Sequence, residues 1–220
     1  MSDRLSLPMI TLICMDTVCP EKAVKALEYS CRGIEFGDVV LVSHYKPDNF
    51  PDNFRYEYTP KCETIDEWNY KALFEMPKHV RTAFSLLCHS DGFVVSPDSW
   101  RWEFLDYDYI GAVWPLPSDD FSYRDPNGNL RRVGNSVSLR SKKLLDLPIV
   151  QGLEFKAFHG YANEDGFICV NYVLEYEKQG CKIAPIEVAK YFSREYVQEE
   201  GIEPFCFHKW HGLNAKYPSF

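Results

Sequence analysis

Short apolar runs and amphipathic segments alternate along the first part of the chain. Residues 9–15, MITLICM, form a continuous apolar run, and a second run, DVVLVS, covers 38–43. Uninterrupted apolar runs of this length are typical of strands buried on both faces of a parallel sheet. Between them, Pro20 begins a segment with one apolar face that ends at Gly33, which predicts a helix. Strand, helix and strand in this order predict a βαβ unit.

Further elements follow from the same patterns. Thr64 and Glu67 have the spacing of a capping box, which predicts the start of a helix. Strands are predicted at 83–88, 93–96, 109–114 and 133–139, and further helices at Ser141 and at 165–179. The pattern predicts an α/β fold with a mostly parallel sheet flanked by helices.

Two polar segments interrupt this pattern. Residues 45–61 and 115–132 are rich in Pro, Asp and Asn, and both are predicted to be loops. A loop as long as the second is uncommon in a compact domain and is usually functional or disordered. Because 220 residues show no internal repeat and no linker composition, we expect a single domain over 1–220.

Charge and cysteine content narrow the classes of function. The 32 acidic and 24 basic residues give a formal charge of −8, which argues against nucleic acid as a partner. The eight cysteines form no CxxC pair, so we expect reduced thiols and no zinc site. No signal-peptide pattern and no apolar run of about 18 residues is present, so we expect a cytoplasmic protein without an integral membrane segment.

The first candidate for chemistry is Asp91, which follows the predicted strand 83–88 and precedes Gly92. Ligands of open α/β folds bind at the carboxyl edge of the sheet. A carboxylate at this edge can hold Mg²⁺ or Mn²⁺ against a diphosphate, because hard cations take oxygen ligands. The alternative is an Asp-Gly turn between two antiparallel strands. The spacing leaves both interpretations open.

The second candidate is the pair Glu164 and Asp165, just before an apolar periodic segment. Either carboxylate can act as a general base that deprotonates a sugar hydroxyl. The alternative is a favourable interaction of both acids with the dipole at the helix N-terminus. At such a position neither carboxylate is expected to be deeply buried.

Two weaker candidates remain. The small-residue stretch from Gly134 to Ser136 leads into a basic segment and can approach a sugar closely. Near the end of the chain, His208 and His211 lie three residues apart with Lys209 between them, and such a cluster can contact a metal or a phosphate.

These motifs follow one another in an order that spans most of the chain. The landmarks are Cys14-Met15-Asp16-Thr17, residues 26–30, 32–37, 89–93, 97–100 and 104–112, Gly134-Asn135, Ser138-Leu139-Arg140-Ser141, Glu164-Asp165 and residues 204–208. In this order they resemble a bacterial and viral glycosyltransferase-like family, similar to the nucleotide-sugar transferases of the GT-A type.

The resemblance implies a GT-A fold, which is a Rossmann-like, mostly parallel sheet flanked by helices in a single domain. It also implies an enzyme, an inverting hexosyl- or deoxyhexosyltransferase assisted by Mn²⁺ or Mg²⁺. The donor is a UDP-, GDP- or dTDP-linked sugar, and the acceptor is a hydroxyl of a glycan or glycoprotein. One direct displacement needs only one base, which contributes about 10² to 10⁴ in rate.

The resemblance further implies roles for single residues. The implied donor and nucleotide contacts are Asp16, Thr17, His89, Ser90, Asp91 and Arg140. Asp91 and His208 are the implied metal ligands, with Asp91 the last residue of a DxD-like element in which His89 replaces the first acid. The acceptor side consists of Gly134, Asn135 and Ser136. Asp165 is the implied general base, with Glu164 as the alternative.

Two other functions are also compatible with the residues. A non-catalytic nucleotide- or carbohydrate-binding module can have the same fold, and His89 in place of an acid favours it. A nucleotidyltransferase also needs acids at a strand end. Such enzymes usually carry an N-terminal glycine-rich phosphate loop, whereas residues 14–20 contain no glycine.

Overall fold

A computed structural model describes residues 4–156 and 163–220, and one sheet of eight strands runs through these residues. In chain order the strands are β1 (Leu5–Met15), β2 (Ile34–Ser43), β3 (Arg55–Tyr58), β4 (Phe84–Cys88), β5 (Tyr109–Val113), β6 (Val133–Ser141), β7 (Ser193–Arg194) and β8 (Cys206–Phe207). Across the sheet their order is β3-β2-β1-β4-β6-β5-β7-β8.

Most neighbouring strands run parallel. Parallel pairs join β1 to β2 and β4, β2 to β3, β5 to β7 and β7 to β8. Only β6 is antiparallel to its neighbours, β4 and β5, among the described strands. The predicted α/β fold with a mostly parallel sheet is therefore confirmed.

The principal helices are α1 (Pro20–Ser30), α2 (Ile65–Phe74), α3 (Lys142–Val150) and α6 (Ile186–Phe192), and the first three begin where the sequence predicts. The Thr64 hydroxyl accepts a hydrogen bond from the Glu67 N–H at 3.2 Å, and the Ser141 hydroxyl accepts one from the Leu144 N–H at 3.1 Å. Both hydroxyls satisfy N–H groups that have no partner within their helix.

The predicted helix over 165–179 is divided into three pieces. These are α4 (Glu164–Gly166), a π-helix (Phe167–Asn171) and α5 (Val173–Lys178), and Gly180 ends the segment with a φ of +73°. The apolar spacing does not reveal this division, because a single widened turn shifts the register by only one residue.

Helices cover both faces of the sheet, and β1 lies between them. Successive side chains of a strand point to opposite faces. Leu12 belongs to the buried cluster that contains Leu27 of α1, whereas Ile13 belongs to the cluster that contains Ala72 of α2 and Leu145 of α3. Each such fully buried aliphatic side chain contributes about 1.5–3 kcal/mol to the free energy of unfolding.

Several boundaries differ from the sequence predictions. β1 begins at Leu5 rather than at Met9, and its register against β2 shifts between Leu7 and Thr11. Pro8 lies in this irregular stretch, where its missing N–H costs no ladder bond. The predicted strand at 93–96 forms only an isolated bridge at Val94.

Four elements were not predicted from the sequence. β3 lies within the predicted loop 45–61, and α6, β7 and β8 lie in the last third of the chain. β7 and β8 have two residues each, too few to show an alternating pattern.

The cysteines, which all lie among the described residues, form no disulfide bond with one another. All eight are free thiols, and five of them are buried. In the ranges 4–156 and 163–220, no helix combines the length and the apolar character needed to cross a membrane.

A bulge interrupts the pairing of β5 with β6. Ile110 pairs with Leu139 and Ala112 pairs with Gly134, so two residues along β5 correspond to five residues along β6. A Cβ atom at Gly111 would lie 1.8 Å from the Gly134 carbonyl oxygen, so the strands approach closely at this glycine. Because β6 is antiparallel to β4, the bulge lies beside the carboxyl ends of β4 and β1.

We expect Gly111→Ala to lower the free energy of unfolding by about 1–3 kcal/mol or more, because the added methyl group overpacks the strand pair. The matched control is Gly166→Ala, since no atom lies within 4 Å of its added Cβ and its φ is −63°. This control should be neutral or slightly stabilising. Urea denaturation measures both variants, and equal stabilities would contradict the importance of the close approach.

Candidate active site

A cavity of about 1060 Å³ opens at the carboxyl ends of β1 and β4. Its walls come from the β1–α1 loop, the start of α2, the β6 bulge, α4 and the residues after β7 and β8. The predicted site residues that line it are Asp16, Thr17, His89, Ser90, Asp91, Asn135, Ser136, Glu164, Asp165 and His208. Five separate segments thus bring these residues together at the sheet edge where α/β folds bind ligands.

Asp91 lies in a tight turn and also faces the cavity. The His89 N–H donates to the Gly92 carbonyl at 2.7 Å, and the Gly92 N–H donates back at 3.2 Å. The Asp91 side chain is 43% exposed, and its Oδ1 lies 3.5 Å from Nε2 of His208. A turn is therefore present, although the predicted second strand at 93–96 does not form, and the turn leaves the carboxylate available to a ligand.

His208 lies between two carboxylates. Its Nδ1 is 3.2 Å from Oε1 of Glu195, on the side opposite Asp91. Burial acts to lower the pKa of His208, but the contacts with Asp91 and Glu195 raise it to about 9. Burial acts to raise the pKa of Asp91, but the contact with His208 lowers it to about 2.

Glu195 completes this cluster and was not predicted from the sequence. Its side chain is only 8% exposed and also contacts the Lys209 Nζ at 3.1 Å and the Asn135 Nδ2 at 2.8 Å. Glu195 directly follows the two-residue strand β7, so no periodic pattern or motif marks it in the sequence. The Lys209 backbone has a φ of +61°, and its N–H donates to the Asp91 carbonyl at 2.9 Å.

His89 forms an aromatic part of the wall rather than a charged one. Its ring centroid lies 5.1 Å from that of Trp68 and 5.5 Å from that of His208. Burial, together with the nearby charge of His208, lowers the pKa of His89 to about 4. At neutral pH this residue therefore brings no charge to the cavity wall.

Glu164 and Arg140 form a fully buried ion pair at 2.8 Å, with side chains that are 2% and 0% exposed. The expectation that neither acid of the pair 164–165 is deeply buried was thus wrong for Glu164. Arg140 does not line the cavity and has no exposed surface for the predicted donor contact. A buried guanidinium needs a carboxylate partner, and Glu164 supplies it.

Asp165 is held by two backbone N–H groups. Its Oδ2 accepts from Asn135 at 2.9 Å and its Oδ1 from Gly166 at 2.8 Å. Burial and the neighbouring charge of Glu164 raise the pKa of Asp165 to about 7. A carboxylate with a pKa near neutrality is suited to general base catalysis.

Asn135 connects the Asp165 side of the cavity with the His208 side. Its N–H bonds Asp165, while its Nδ2 bonds Glu195 and lies 3.1 Å from Nδ1 of His208. The residue is 2% exposed and adopts a φ of +90°, a conformation that costs a non-glycine residue about 1–3 kcal/mol. Its neighbour Gly134 does not line the cavity, because it packs against Trp114.

Asp16 and Thr17 shape the β1–α1 loop. Oδ1 of Asp16 accepts from the N–H groups of Val18 and Cys19, each at 2.8 Å. The Thr17 hydroxyl accepts from the Cys62 N–H at 3.0 Å, and this threonine is 2% exposed. Lys22 of α1, which sequence reasoning did not single out, also lines the cavity.

The half-exposed carboxylate of Asp91 fits a divalent cation that shares its ligands with a substrate, whereas Nε2 of His208 becomes a ligand only when the ring loses its proton. In the part of the chain that is described, no group of three or more His, Cys, Asp or Glu side chains is arranged to hold a metal by itself. Mg²⁺ and Mn²⁺ commonly take one or two protein ligands and complete their shell with phosphate and water. The half-exposed carboxylate of Asp91 meets this requirement.

The sequence and the structure were compared with known proteins. The model of the family described as "Protein of unknown function (DUF5672)" matches residues 58–208, and the chain belongs to this family. No curated protein matches the sequence.

Among solved structures, a glycosyltransferase involved in glycosylation of the major capsid of PBCV-1 superposes with a TM-score of 0.51 at 13% identity, over 94% of this chain and 96% of its own. This likeness shows the fold and confirms the GT-A-like architecture.

Two further structures are more distant. The bifunctional IspDF from Campylobacter jejuni has a TM-score of 0.46 at 16% identity, over 80% of this chain and 48% of its own. The mannosyltransferase PcManGT from Pyrobaculum calidifontis, in complex with GDP-Man and Mn²⁺, has a TM-score of 0.47 at 12% identity, over 83% and 57%. This chain spans about half the length of each.

We expect Asn135→Gly to lower the free energy of unfolding by about 1–2 kcal/mol, although glycine accepts the backbone conformation without strain. The loss follows because the buried Glu195 and the Val137 N–H, which donates to Asn135 Oδ1 at 2.8 Å, lose their partners. Asn53→Gly, in an exposed loop, controls for the general entropic effect of glycine. If urea denaturation shows Asn135→Gly to be more stable than the wild type, backbone strain outweighs the side-chain bonds.

Proposed function

We propose that this member of the DUF5672 family is an inverting glycosyltransferase, with residues 1–220 as one catalytic domain. It transfers a hexosyl or deoxyhexosyl group from a nucleoside-diphosphate sugar to a hydroxyl of a glycan or glycoprotein. One observation carries the proposal. The same cavity holds a carboxylate of raised pKa at Asp165 and, joined to it through Asn135, a separate charged cluster around His208.

The donor diphosphate is proposed to bind at the charged cluster. Lys209 and the protonated His208 carry positive charge there, and both line the cavity. Asp91 is the proposed ligand of Mn²⁺ or Mg²⁺, and His208 would join it only by giving up its proton, because an imidazolium has no free lone pair. The cation when bound would neutralise the charge that develops on the departing diphosphate. Lys209 can donate to a phosphate oxygen from the same side, since its side chain is 46% exposed.

The nucleoside is proposed to lie between the β1–α1 loop and the start of α2. Val18 and Ile65 both line the cavity there, with 79% and 68% of their surface exposed. Exposed aliphatic side chains at a cavity mouth can cover the faces of a planar base. Asp16 and Thr17 bond backbone N–H groups in and beside this loop. Their proposed contribution is therefore to fix the conformation of the loop as well as to contact the nucleoside directly.

Asp165 is the proposed general base. Its two N–H partners, on Asn135 and Gly166, fix the orientation of the carboxylate. The carboxylate takes the proton of the acceptor hydroxyl while the hydroxyl oxygen attacks the anomeric carbon and the bond to the diphosphate breaks. One direct displacement inverts the configuration at that carbon. Glu164, the alternative base, is occupied by Arg140.

A binding module without catalysis remains the second candidate. The observation in its favour is His89, which replaces the first acid of the DxD-like element and is neutral at physiological pH. Asp91 is therefore the sole acid of that element. The two candidates differ in turnover and not in nucleotide affinity, because a base acts in the transition state.

We expect a nucleoside diphosphate to bind more tightly when Mn²⁺ or Mg²⁺ is added, and Asp91→Ala to abolish this increase.

His208→Ala should weaken nucleotide binding without unfolding the protein. Isothermal titration calorimetry with and without metal measures both effects, with Asp98→Ala, an exposed acid outside the cavity, as the control. Identical binding by the wild type and Asp91→Ala, indifferent to metal, would exclude the proposed ligand role of Asp91.

We expect Asp165→Asn to bind the donor normally and to transfer sugar at least about 10²-fold more slowly, the lower end of the general-base range. The base must be deprotonated, and the pKa of Asp165 is about 7. The wild-type rate should therefore fall as the pH drops below about 7, and this limb should be absent in the variant. Initial rates across the pH range, with NMR of the product anomer, make the measurement.

Two controls accompany this experiment. Asp52→Asn, in an exposed loop, should transfer at the wild-type rate. Glu164→Gln should instead reduce stability by about 3–5 kcal/mol, because it leaves the buried Arg140 without its partner. Retention of configuration would rule out single displacement, and full activity of Asp165→Asn would place the base elsewhere. Donor binding without transfer to any acceptor would favour the binding module.

A further inference from the structure

The polar loop 115–132 is fixed in place by one buried carboxylate. The side chain of Asp125 is 0% exposed. It accepts from the N–H groups of Asn127 and Asn129 at 2.9 Å each and from Nε of Arg131 at 2.8 Å. Arg131 also pairs with Glu177 of α5 at 2.6 Å. The loop is therefore bonded within itself and to a helix, although its composition resembles that of a disordered segment.

This loop supplies an aromatic wall to the cavity. The ring of Tyr123 stacks on that of Trp114, at the end of β5, with centroids 4.8 Å apart and planes inclined by 16°. Phe121, which is 52% exposed, lines the same cavity. These three residues, Trp114, Phe121 and Tyr123, are here called the aromatic wall.

The aromatic wall lies next to the proposed base. A Cβ atom at Gly134 would lie 1.8 Å from Cζ2 of Trp114, so this glycine and the indole ring are in direct contact. The next residue, Asn135, holds Asp165 through its backbone N–H. The wall thus contacts the residue directly before Asn135, whose N–H bonds the proposed base.

The base side of the cavity is poor in positive charge. The three arginines of the loop region do not line the cavity. Arg131 is paired as described, Arg124 donates to the Asp120 and Gly128 carbonyls, and Arg132 donates to the Trp114 carbonyl. Among the described residues, Lys22 and Lys209 are the cavity's only lysines or arginines. Lys209 belongs to the His208 cluster and Lys22 to α1, so both lie toward the proposed donor end.

We propose that the aromatic wall is the acceptor subsite and that it binds a neutral sugar ring. The ring's C–H face packs on Phe121, while the side chains of Ser122 and Asn171, which also line the cavity, can bond its hydroxyls. A phosphorylated acceptor is disfavoured, because its charge meets Asp165 and, in the ranges 4–156 and 163–220, no lysine or arginine on this side. The acceptor role rests on the proposed transferase function, whereas sugar binding at the wall does not.

Saturation-transfer NMR without any donor tests the subsite directly. The probes are methyl glycosides of glucose, galactose and mannose, each paired with its sugar phosphate. We expect saturation transfer to the neutral glycosides and at least tenfold weaker binding of the phosphates at the site that depends on Phe121. Phe121→Ala should weaken glycoside binding about tenfold, or about 1.4 kcal/mol, whereas Phe121→Tyr, which keeps the ring, should bind like the wild type. Trp102→Ala, an aromatic residue that is 59% exposed outside the cavity, should change nothing.

The outcomes separate the two proposals. Equal or tighter binding of the phosphates that Phe121→Ala weakens, or undiminished glycoside binding by Phe121→Ala, overturns the neutral-sugar subsite whatever the activity. Absence of saturation transfer to every neutral glycoside also overturns it. Glycoside binding that depends on Phe121, in a protein that transfers from no donor, supports the subsite and contradicts the transferase. Transfer with an acceptor KM that Phe121→Ala leaves unchanged supports the transferase and contradicts the subsite.

Discussion

The hydrogen bond from the Asn135 N–H to Asp165 is the contact on which the geometry of the cavity depends. It forms because the β6 bulge turns this N–H out of the strand ladder, at a φ of +90° that asparagine adopts at a cost. The side chain of the same residue bonds Glu195, which in turn bonds His208. A single strained residue therefore sets the distance between the proposed base and the proposed diphosphate site, and the strain is offset by bonds on both sides.

The buried pair of Arg140 and Glu164 supports this arrangement from behind. Arg140 lies on β6, and Glu164 is the first residue of α4, so their contact at 2.8 Å joins the sheet to the turn that carries Asp165. Removing two charges from water is costly, and a buried pair contributes little net stability. The effect of the pair is instead to fix the position of α4 against β6. The negative charge of Glu164 also helps to raise the pKa of its neighbour Asp165, so a structural pair tunes a candidate catalytic group.

Sequence reasoning succeeded where local patterns determine structure. The apolar runs 9–15 and 38–43 lie within β1 and β2, β4 lies within the predicted strand 83–88, and the helices predicted at Thr64 and Ser141 begin there. It failed at β7 and β8, whose pairing is set only by tertiary contacts. In the site, motif order indicated the cavity-lining residues Asp91, Asp165 and His208, whose catalytic and metal roles stay proposals. Glu195 and the aromatic wall have no local signal, and Arg140 was assigned to the donor because a buried arginine cannot be distinguished in sequence from an exposed one.

The distribution of charge within the cavity gives the proposed reaction its direction. The chain as a whole is acidic, with a formal charge of −8, yet His208 and Lys209 place two positive groups at one end of the cavity. Both already contact Glu195, so an incoming diphosphate must compete with a carboxylate for the same donors. Such competition lowers affinity for weakly charged ligands more than for a diphosphate, whose charge is larger. The proposed anionic donor would thereby be directed to this end, and the other end, bounded by Asp165 and aromatic rings, would be left to the proposed neutral acceptor.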